Sequence, residues 1–253
     1  MLTVDTPIVL LSPHCDDIVL SVGGWLAKLK RLAPQMLDHM TVCTVFSWSK
    51  SSPRRPAYDG NSARVTELRS MEEHDYCERA GVALELLDLP DTSFLNIGYR
   101  DPLVLETDQR YVHLRQFLQD KLQNRIVIAP LSLGEHIDHR IVHECAKHHE
   151  AATVLTLYYE DLPYASWYDD TERQAYITKN LGEAASPLHI ALEQADKKEK
   201  IDNLQCYPSQ MNAREREEVS HYQAWGNELG ETLWLARDQR LDPSLLAALL
   251  ING

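Results

Sequence analysis

Short apolar runs rich in β-branched residues alternate along the chain with longer segments in which apolar residues recur every three or four positions. The short runs are typical of buried strands, and the longer period is typical of helices that pack on a sheet. This pattern predicts strands at Ile8–Ser12, Met40–Trp48, Ala83–Leu89, Arg125–Pro130 and Thr153–Tyr158. It predicts helices at Asp17–Leu32, Ala63–Ala80, Tyr111–Gln123 and Arg140–Glu150.

The alternation of strands and helices indicates an α/β fold. We predict a Rossmann-like three-layer sandwich with a mostly parallel central sheet and extra C-terminal helices. After Tyr159 the alternation fades, and charged segments near Leu192–Leu204, Ala213–Trp225 and Pro243–Leu250 predict peripheral helices. We therefore expect a single domain over residues 1–253, in which residues 190–253 form a peripheral helical part.

The composition limits the classes of binding partner and the cellular compartment that we expect. With 25 Lys and Arg against 38 Asp and Glu, the formal charge is −13, which argues against nucleic acid because phosphate binding needs clustered cations. Five widely spaced cysteines without a CxxC pair indicate neither a disulfide framework nor a thiolate zinc site, so we expect a reduced, cytoplasmic setting. The N-terminal residues lack a basic region and an apolar run of spanning length, so we expect neither a signal peptide nor a transmembrane segment.

Two short clusters carry candidate chemistry. PHCDD, residues 13–17, lies between two apolar runs, and its aspartates alone could be helix caps, because a capping aspartate accepts the free amide hydrogens of the first turn. HIDH, residues 136–139, also follows a predicted strand and precedes a predicted helix. Ligands of open parallel sheets bind beyond the carboxyl ends of the strands. If the two strands are neighbours, both clusters should therefore face one crevice.

Together the clusters have the composition of a catalytic zinc site, with imidazoles and a carboxylate as ligands and a spare carboxylate to move protons. Zinc with three protein ligands brings a bound water to a pKa of roughly 7, which suits hydrolysis at neutral pH. Iron is an alternative, because nitrogen and oxygen ligands accept several divalent ions. Histidines 143, 148 and 149 lack the HExxH spacing, and we expect them to be solvated surface residues.

PHCDD followed by LSVGG, and HIDHR further along, resemble the motifs of the LmbE/PIG-L family of zinc-dependent N-deacetylases. The first family motif usually reads (A/P)HPDD with a following GG, and the second reads HxDH. The resemblance covers most of the chain, because further matches occur in family order: Arg69 with Glu72, LPD at 89–91, YYEDLPYA at 158–165, and Lys200 with YPSQ at 207–210.

The resemblance implies a role for each candidate residue. It implies three zinc ligands: His14, Asp17 and His139. It also implies that Asp16 is the general base, and that His136 stabilises the oxyanion or protonates the leaving amine while Asp138 orients it. Arg69 and Asp91 resemble positions that hold substrate hydroxyls, although a salt bridge within the scaffold would explain them nearly as well.

Two positions depart from the family pattern. Cys15 stands where the family usually has proline, and we expect it to be a small buried filler. Gly134 stands where some relatives carry a tyrosine suggested to help the oxyanion, so that help must come from elsewhere or be absent. Four aromatic residues near strand ends could form a substrate wall, while core packing or surface exposure would explain each equally well: Trp48, Tyr99, Tyr164 and Trp167.

The leading hypothesis is zinc-dependent hydrolysis of an N-acetyl or short N-acyl group from an amino sugar, such as an N-acetylglucosamine conjugate, or from a sugar-containing metabolite. One alternative keeps the zinc but changes the substrate to a non-sugar N-acyl compound. Another is a metal-free, Rossmann-type nucleotide-binding module built on VGGW, residues 22–25. The absence of GxGxxG disfavours it. The expected partner is a small-molecule substrate, and homo-oligomerisation stays open.

Overall fold

The computed structural model describes residues 6–58, 60–95, 97–102, 104–222 and 229–236, together with residues 247 and 249. These residues form a seven-stranded sheet in the order β3-β2-β1-β4-β5-β7-β6. Its strands are β1 (Ile8–Ser12), β2 (Met40–Thr44), β3 (Ala83–Leu86), β4 (Ile126–Pro130), β5 (Leu155–Tyr159), β6 (Ser186–Ala191) and β7 (Gly230–Leu235).

The first five strands are parallel, and β1 lies between β2 and β4. Every residue of β1, β4 and β5 is buried. This is expected for parallel strands that are covered on both faces of the sheet, and it explains why they are largely apolar in the sequence. Because β1 and β4 are parallel neighbours, the loops that follow them emerge side by side at the same edge of the sheet. This edge is where the two clusters lie.

Seven helices flank the sheet within the described residues: α1 (Asp17–Leu32), α2 (Ser62–Ala80), α3 (Gln109–Lys121), α4 (Ile137–His149), α5 (Asp170–Leu181), α6 (Gln194–Asn203) and α7 (Ala213–Ser220). Local sequence fixes several of their ends. Asn61 caps α2 by accepting the amide hydrogen of Arg64, and Gly81 ends it with a left-handed φ of 80°. The predicted α/β fold with a mostly parallel sheet is confirmed. Among the described helices, none is both long enough and apolar enough to span a bilayer.

Several element predictions need correction. The predicted strands Met40–Trp48 and Ala83–Leu89 are too long, because the regular strands end at Thr44 and Leu86. Helix α4 begins at Ile137 instead of Arg140, since the side chain of His136 caps it. The predicted helix Ala213–Trp225 ends at Ser220 among the described residues, and most of Pro243–Leu250 lies outside them.

The prediction that residues 190–253 form a peripheral helical part needs one addition, because this range also contains a strand. Gly230–Leu235 forms β7, which pairs antiparallel with both β5 and β6. The sequence analysis also missed α5, which precedes this region, and β6, which ends inside it at Ala191. The final strand of the described chain is thus an internal strand of the sheet.

Strand β7 also supports helix α1, which is kinked at Val22. Beyond the kink, the amides of Gly24 and Trp25 donate to the Glu231 carboxylate at 2.9 and 2.7 Å, so a side chain from β7 caps the second half of the helix. A Cβ on Gly24 would lie 2.4 Å from Leu192 Cδ1 and 2.9 Å from Glu231 Oε1. Protein atoms fill the space beside this glycine, which argues against a nucleotide bound at VGGW.

We expect Glu231→Leu to lower the free energy of unfolding by about 3–5 kcal/mol, because it leaves buried Lys200 without the carboxylate that lies 2.7 Å from its Nζ. Glu199→Leu is the matched control, since it breaks the surface pair with Lys30 and should cost at most about 1 kcal/mol. Urea denaturation measures both changes. Equal losses in the two variants would contradict a structural role for the buried pair.

Candidate metal centre and active site

The two histidine- and aspartate-containing segments meet at the carboxyl edge of the sheet. PHCDD follows β1 and HIDH follows β4. Both segments line one cavity of about 460 Å³, called the site cavity below. Of the eight candidate residues named from the sequence, seven line this cavity: His14, Asp16, Asp17, Arg69, Asp91, His136 and Asp138. The eighth, His139, is buried and does not line it.

Three side chains offer ligand atoms within 4.8 Å of one another: His14, Asp17 and His139. Oδ2 of Asp17 lies 3.5 Å from Nδ1 of His14 and 3.4 Å from Nε2 of His139. The His139 Nε2 atom is buried and has no hydrogen-bond partner among the described residues. A buried polar atom without a partner is costly, so a ring nitrogen beside a carboxylate fits a divalent ion well.

Each of the two imidazoles is held through its other ring nitrogen by a carboxylate. Nδ1 of His139 lies 2.6 Å from Oδ1 of Asp161, and Nε2 of His14 lies 2.9 Å from Oδ2 of Asp138. Metal-binding histidines usually donate their second nitrogen in this way, which fixes the tautomer and the ring orientation. Sequence reasoning missed Asp161. The available signal was an acid two residues beyond the end of β5, the strand next to β4.

We expect Asp161→Asn to weaken metal affinity about 10- to 100-fold. The carboxylate accepts the Leu133 amide hydrogen through Oδ2 and faces His139 through Oδ1, whereas asparagine offers one acceptor and can satisfy only one of these partners. Competition with a chromogenic chelator measures the affinity. Asp169→Asn is the control, because this exposed helix cap tolerates asparagine. An Asp161→Asn variant with wild-type affinity would contradict the orienting role.

Asp138 is fully buried and lies in a saturated hydrogen-bond network. Besides contacting His14, its carboxylate accepts from the amide of Thr92 at 2.9 Å, from the Thr92 hydroxyl at 2.5 Å and from Arg110 at 2.7 Å. Burial opposes ionisation, but His14, His136 and Arg110 hold the pKa of Asp138 well below its usual range. The carboxylate is 4.0 Å from Nδ1 of His136. Its direct ring contact is thus to His14, not to His136 as expected from the sequence.

Asp16 has a left-handed backbone, with a φ of 110°, and its side chain makes no capping hydrogen bond to α1. Helix capping therefore does not explain this carboxylate. Its amide donates to Oε2 of buried Glu73 at 3.2 Å, and the same glutamate accepts from Thr44 at 2.8 Å and from Tyr207 at 2.6 Å. Glu73 thus ties the strained residue to β2 and to the segment after α6.

The pKa values of the two adjacent aspartates are shifted in opposite directions. Burial raises the pKa of Asp16 to about 8, and the neighbouring charge of Asp17 adds to the increase. Burial also acts on Asp17, but His139 and His14 outweigh it and hold its pKa at about 2. Asp17 therefore stays negatively charged, as a metal ligand must, whereas Asp16 takes up a proton readily. Neighbouring carboxylates with separated pKa values are typical of acid–base sites.

His136 is a neutral hydrogen-bond donor at the cavity. Burial lowers its pKa to about 3, and the charges of His14 and His139 add to the decrease. Its Nδ1 accepts the amide hydrogen of Asp138 at 3.2 Å, so in the neutral ring Nε2 carries the proton. The ring stacks on Tyr99 with 5.3 Å between centroids.

Arg69 and Asp91 are both buried and both line the cavity. The guanidinium donates to Ser49 at 3.1 Å and to the carbonyl oxygen of Cys15 at 3.2 Å, and it lies 3.9 Å from the Asp91 carboxylate. Nε of Arg69 has no partner among the described residues. Scaffold contacts and cavity exposure therefore coexist, and the substrate role stays a prediction. Cys15 is buried, as expected for a small filler.

Gly134 and Tyr164 form a close pair. Gly134 has a φ of 89°, and a Cβ at this position would lie 2.5 Å from Cγ of Tyr164. The tyrosine ring meets His139 edge-on at 5.4 Å between centroids and lines the cavity. Of the four aromatic residues named from the sequence, Tyr99 and Tyr164 line the cavity, whereas Trp48 and Trp167 are exposed and do not.

The expectation that three histidines of α4 are solvated is wrong for two of them. His143 is buried, with Nδ1 2.9 Å from the carbonyl oxygen of Pro130, and His149 is buried against the carbonyl of Arg115. Only His148 is exposed. A backbone carbonyl accepts from one nitrogen of each ring, while Nε2 of His143 is buried without a hydrogen-bond partner among the described residues.

Solved structures of known proteins share this architecture. A teicoplanin deacetylase in complex with teicoplanin has a TM-score of 0.68 and 20% identity, over 91% of this chain and 97% of that one. The zinc-inhibited form of teicoplanin deacetylase has a TM-score of 0.62 and 21% identity, over 93% and 100% of the two chains. At these identities the likeness shows the fold.

Sequence comparison gives the family. A 2′-N-acetylparomamine deacetylase from Streptomyces fradiae is 34% identical in an alignment of 188 residues that covers 70% of this chain. The match spans 65% of the length of that protein. The family model for PIG-L, described as GlcNAc-PI de-N-acetylase, matches residues 9–150, a range that contains both PHCDD and HIDH. The chain therefore belongs to the PIG-L family.

Proposed function

We propose that this chain is a zinc-dependent N-deacetylase that hydrolyses the acetyl amide of an amino sugar or of a metabolite that contains one. The observation that carries the proposal is the convergence of His14, Asp17 and His139 beside the site cavity, with the carboxylate of Asp16 next to them. Two imidazoles and one carboxylate are a ligand set that zinc hydrolases use.

A divalent ion held by these three residues would act as a Lewis acid on the amide carbonyl and ease deprotonation of the attacking water. Zinc is the ion we propose, and the relative known in a zinc-inhibited form supports zinc as an ion for this fold. Iron stays the alternative, because the same ligand types accept several divalent ions.

Asp16 moves the protons in this proposal. Its carboxylate lies at the cavity beside the ligand set and is free of capping bonds, so it can take a proton from the attacking water. When the carbon–nitrogen bond breaks, the leaving nitrogen needs one proton, and Asp16 then holds it. Water is thus added across the amide, giving a free amine and acetic acid, which releases its proton to become acetate.

His136 stabilises the developing oxyanion in this proposal, because its neutral ring presents Nε2–H as a donor while Nδ1 is occupied by the amide of Asp138. The alternative in which His136 protonates the amine is less well supported by this tautomer. Asp138 acts by holding His14 in orientation.

The substrate we propose is an N-acetylated, cationic amino sugar. The named activity of the Streptomyces fradiae relative supports an aminoglycoside-type compound as the first to test. A formal charge of −13 favours encounter with a cation over an anion. Arg69 and Asp91 are the side chains we propose to bind sugar hydroxyls, since both line the cavity.

An acetate-release assay tests the function. The purified chain, loaded with zinc, is incubated with 2′-N-acetylparomamine, N-acetylglucosamine and an N-acetylated peptide. We expect acetate from at least one amino sugar and little from the peptide. Acetate from the peptide alone would favour the non-sugar amidohydrolase, and no release from any compound by a metal-loaded protein would reject deacetylation of these classes.

A further inference from the structure

Gln210 lies at a junction between two cavities. It lines the site cavity and also a neighbouring cavity of about 310 Å³. Its side-chain Nε2 donates to the hydroxyl of Ser209 at 2.7 Å. Oε1 of Gln210 accepts no hydrogen bond from the described residues. One end of this amide is therefore anchored, and the other is available.

A buried glutamate fixes the direction of these hydrogen bonds. Glu72 accepts the amide hydrogen of Ser209 through Oε1 at 2.9 Å and the Ser209 hydroxyl through Oε2 at 2.5 Å. An ionised carboxylate can only accept, so the serine hydroxyl must donate to Glu72. The serine oxygen is then left as an acceptor, and the Gln210 atom bonded to it must be the NH₂ group. The carbonyl oxygen of Gln210 is consequently the atom that is left for a ligand.

We propose that Gln210 selects the substrate by accepting, through Oε1, a hydrogen bond from a hydroxyl or ammonium group of the amino sugar. The proposal rests on the proposed function for the identity of the ligand. Glu72 and Ser209 act through Gln210 as positioning residues, because neither lines the site cavity.

The same argument predicts an unusual effect of Glu72→Gln. The backbone amide of Ser209 can only donate, so the carbonyl oxygen of the new glutamine must face it. The new NH₂ group then faces the serine hydroxyl, which must accept and becomes free to donate to Gln210. The serine oxygen has two lone pairs and can accept from both amides, so Gln210 is no longer held in one orientation and can turn its carbonyl toward Ser209 and its NH₂ toward the cavity. An isosteric change outside the cavity would thus allow a donor to replace the acceptor inside it.

Kinetics with a substrate series test the proposal. The probes are 2′-N-acetylparomamine and analogues in which one hydroxyl or one amino group is replaced by hydrogen. For the wild type we expect one analogue to raise KM about three- to tenfold, as for the loss of one hydrogen bond. A deoxygenated analogue would identify a hydroxyl donor, and a deaminated one an ammonium donor.

Substitutions at Gln210 and at its positioning residues test whether Gln210 is the hydrogen-bond acceptor. Gln210→Met should raise KM for the parent compound by a similar factor and should no longer discriminate against the critical analogue. Glu72→Gln should raise the parent KM as much, with kcat within about twofold of wild type and an unchanged melting temperature. Ser209→Ala is a second variant that frees the Gln210 amide and should also raise KM.

Two outcomes would overturn the proposal: discrimination by Gln210→Met that equals the wild type, or a wild-type KM in folded Glu72→Gln and Ser209→Ala. Calorimetric titration with paromamine and its analogues repeats the comparison without turnover. If the wild type binds these amines with the expected discrimination but hydrolyses no probe, the proposed function fails and the acceptor role stands. If it hydrolyses them without discrimination, the function stands and the acceptor role fails.

Discussion

Asp16→Asn is expected to lower kcat by about 100- to 10,000-fold, the range attributed to a positioned proton-transfer group. Asparagine has almost the same shape but cannot accept the proton from the attacking water. Because Asp16 is not among the three proposed ligands, we expect metal content and KM to stay close to wild type. Steady-state acetate release and elemental analysis of the purified variant measure these quantities.

Asp75→Asn is the matched control for this prediction, since Asp75 is exposed on α2 and lies away from the site cavity. It should leave kcat unchanged. Retention of at least a tenth of the wild-type kcat by a metal-loaded Asp16→Asn variant would remove the general base from the mechanism. Loss of metal together with activity would instead assign Asp16 to the ligand set.

His139→Ala is expected to reduce bound zinc from about one ion per chain to near zero and activity to background, because three protein ligands are the usual minimum for a catalytic zinc site. In the wild type, zinc at 1,000 times its dissociation constant should stabilise the fold by about 4 kcal/mol. The variant should lose this stabilisation. Elemental analysis and thermal unfolding with and without zinc give readouts that do not depend on activity.

His148→Ala controls for the loss of an imidazole from the same helix, since His148 is exposed on α4. It should bind zinc and unfold like the wild type. A His139→Ala variant that keeps a full complement of zinc and its stabilisation would place the metal elsewhere. The second compact group, His14 with His136 and Asp138, would then be the next candidate.

The sequence was sufficient to predict the five parallel strands of the seven-stranded sheet and the two clusters. Runs such as IVLL and IVIAP are apolar throughout because β1 and β4 are buried on both faces, so burial itself leaves a readable pattern. The histidines and aspartates stand out because they interrupt that pattern at strand ends. Which of them meet, however, depends on strand order, and β1 pairs with β4 across more than a hundred residues of chain.

The supporting carboxylates and cations were beyond sequence reasoning. Arg110 and Glu73 carry no local signature, and each is recognisable only from the partner it contacts in space. Asp161 is marked only by its place two residues after β5, and its contact with His139 becomes visible only in the fold. The antiparallel strands were missed for a different reason. β6 reads SPLHIA, with a proline and mostly exposed positions, so neither continuous burial nor regular alternation identifies it.

The position of β7 has a consequence for biosynthesis. A ribosome delivers β5 and β6 long before β7, yet β7 lies between them in the finished sheet. Until residue 235 has left the exit tunnel, the edge of β5 stays open, and this strand leads directly to Asp161. Unpaired strand edges invite association with other chains. Prematurely terminated products of this protein should therefore depend on chaperones to avoid aggregation, even when they already contain every proposed metal-binding residue.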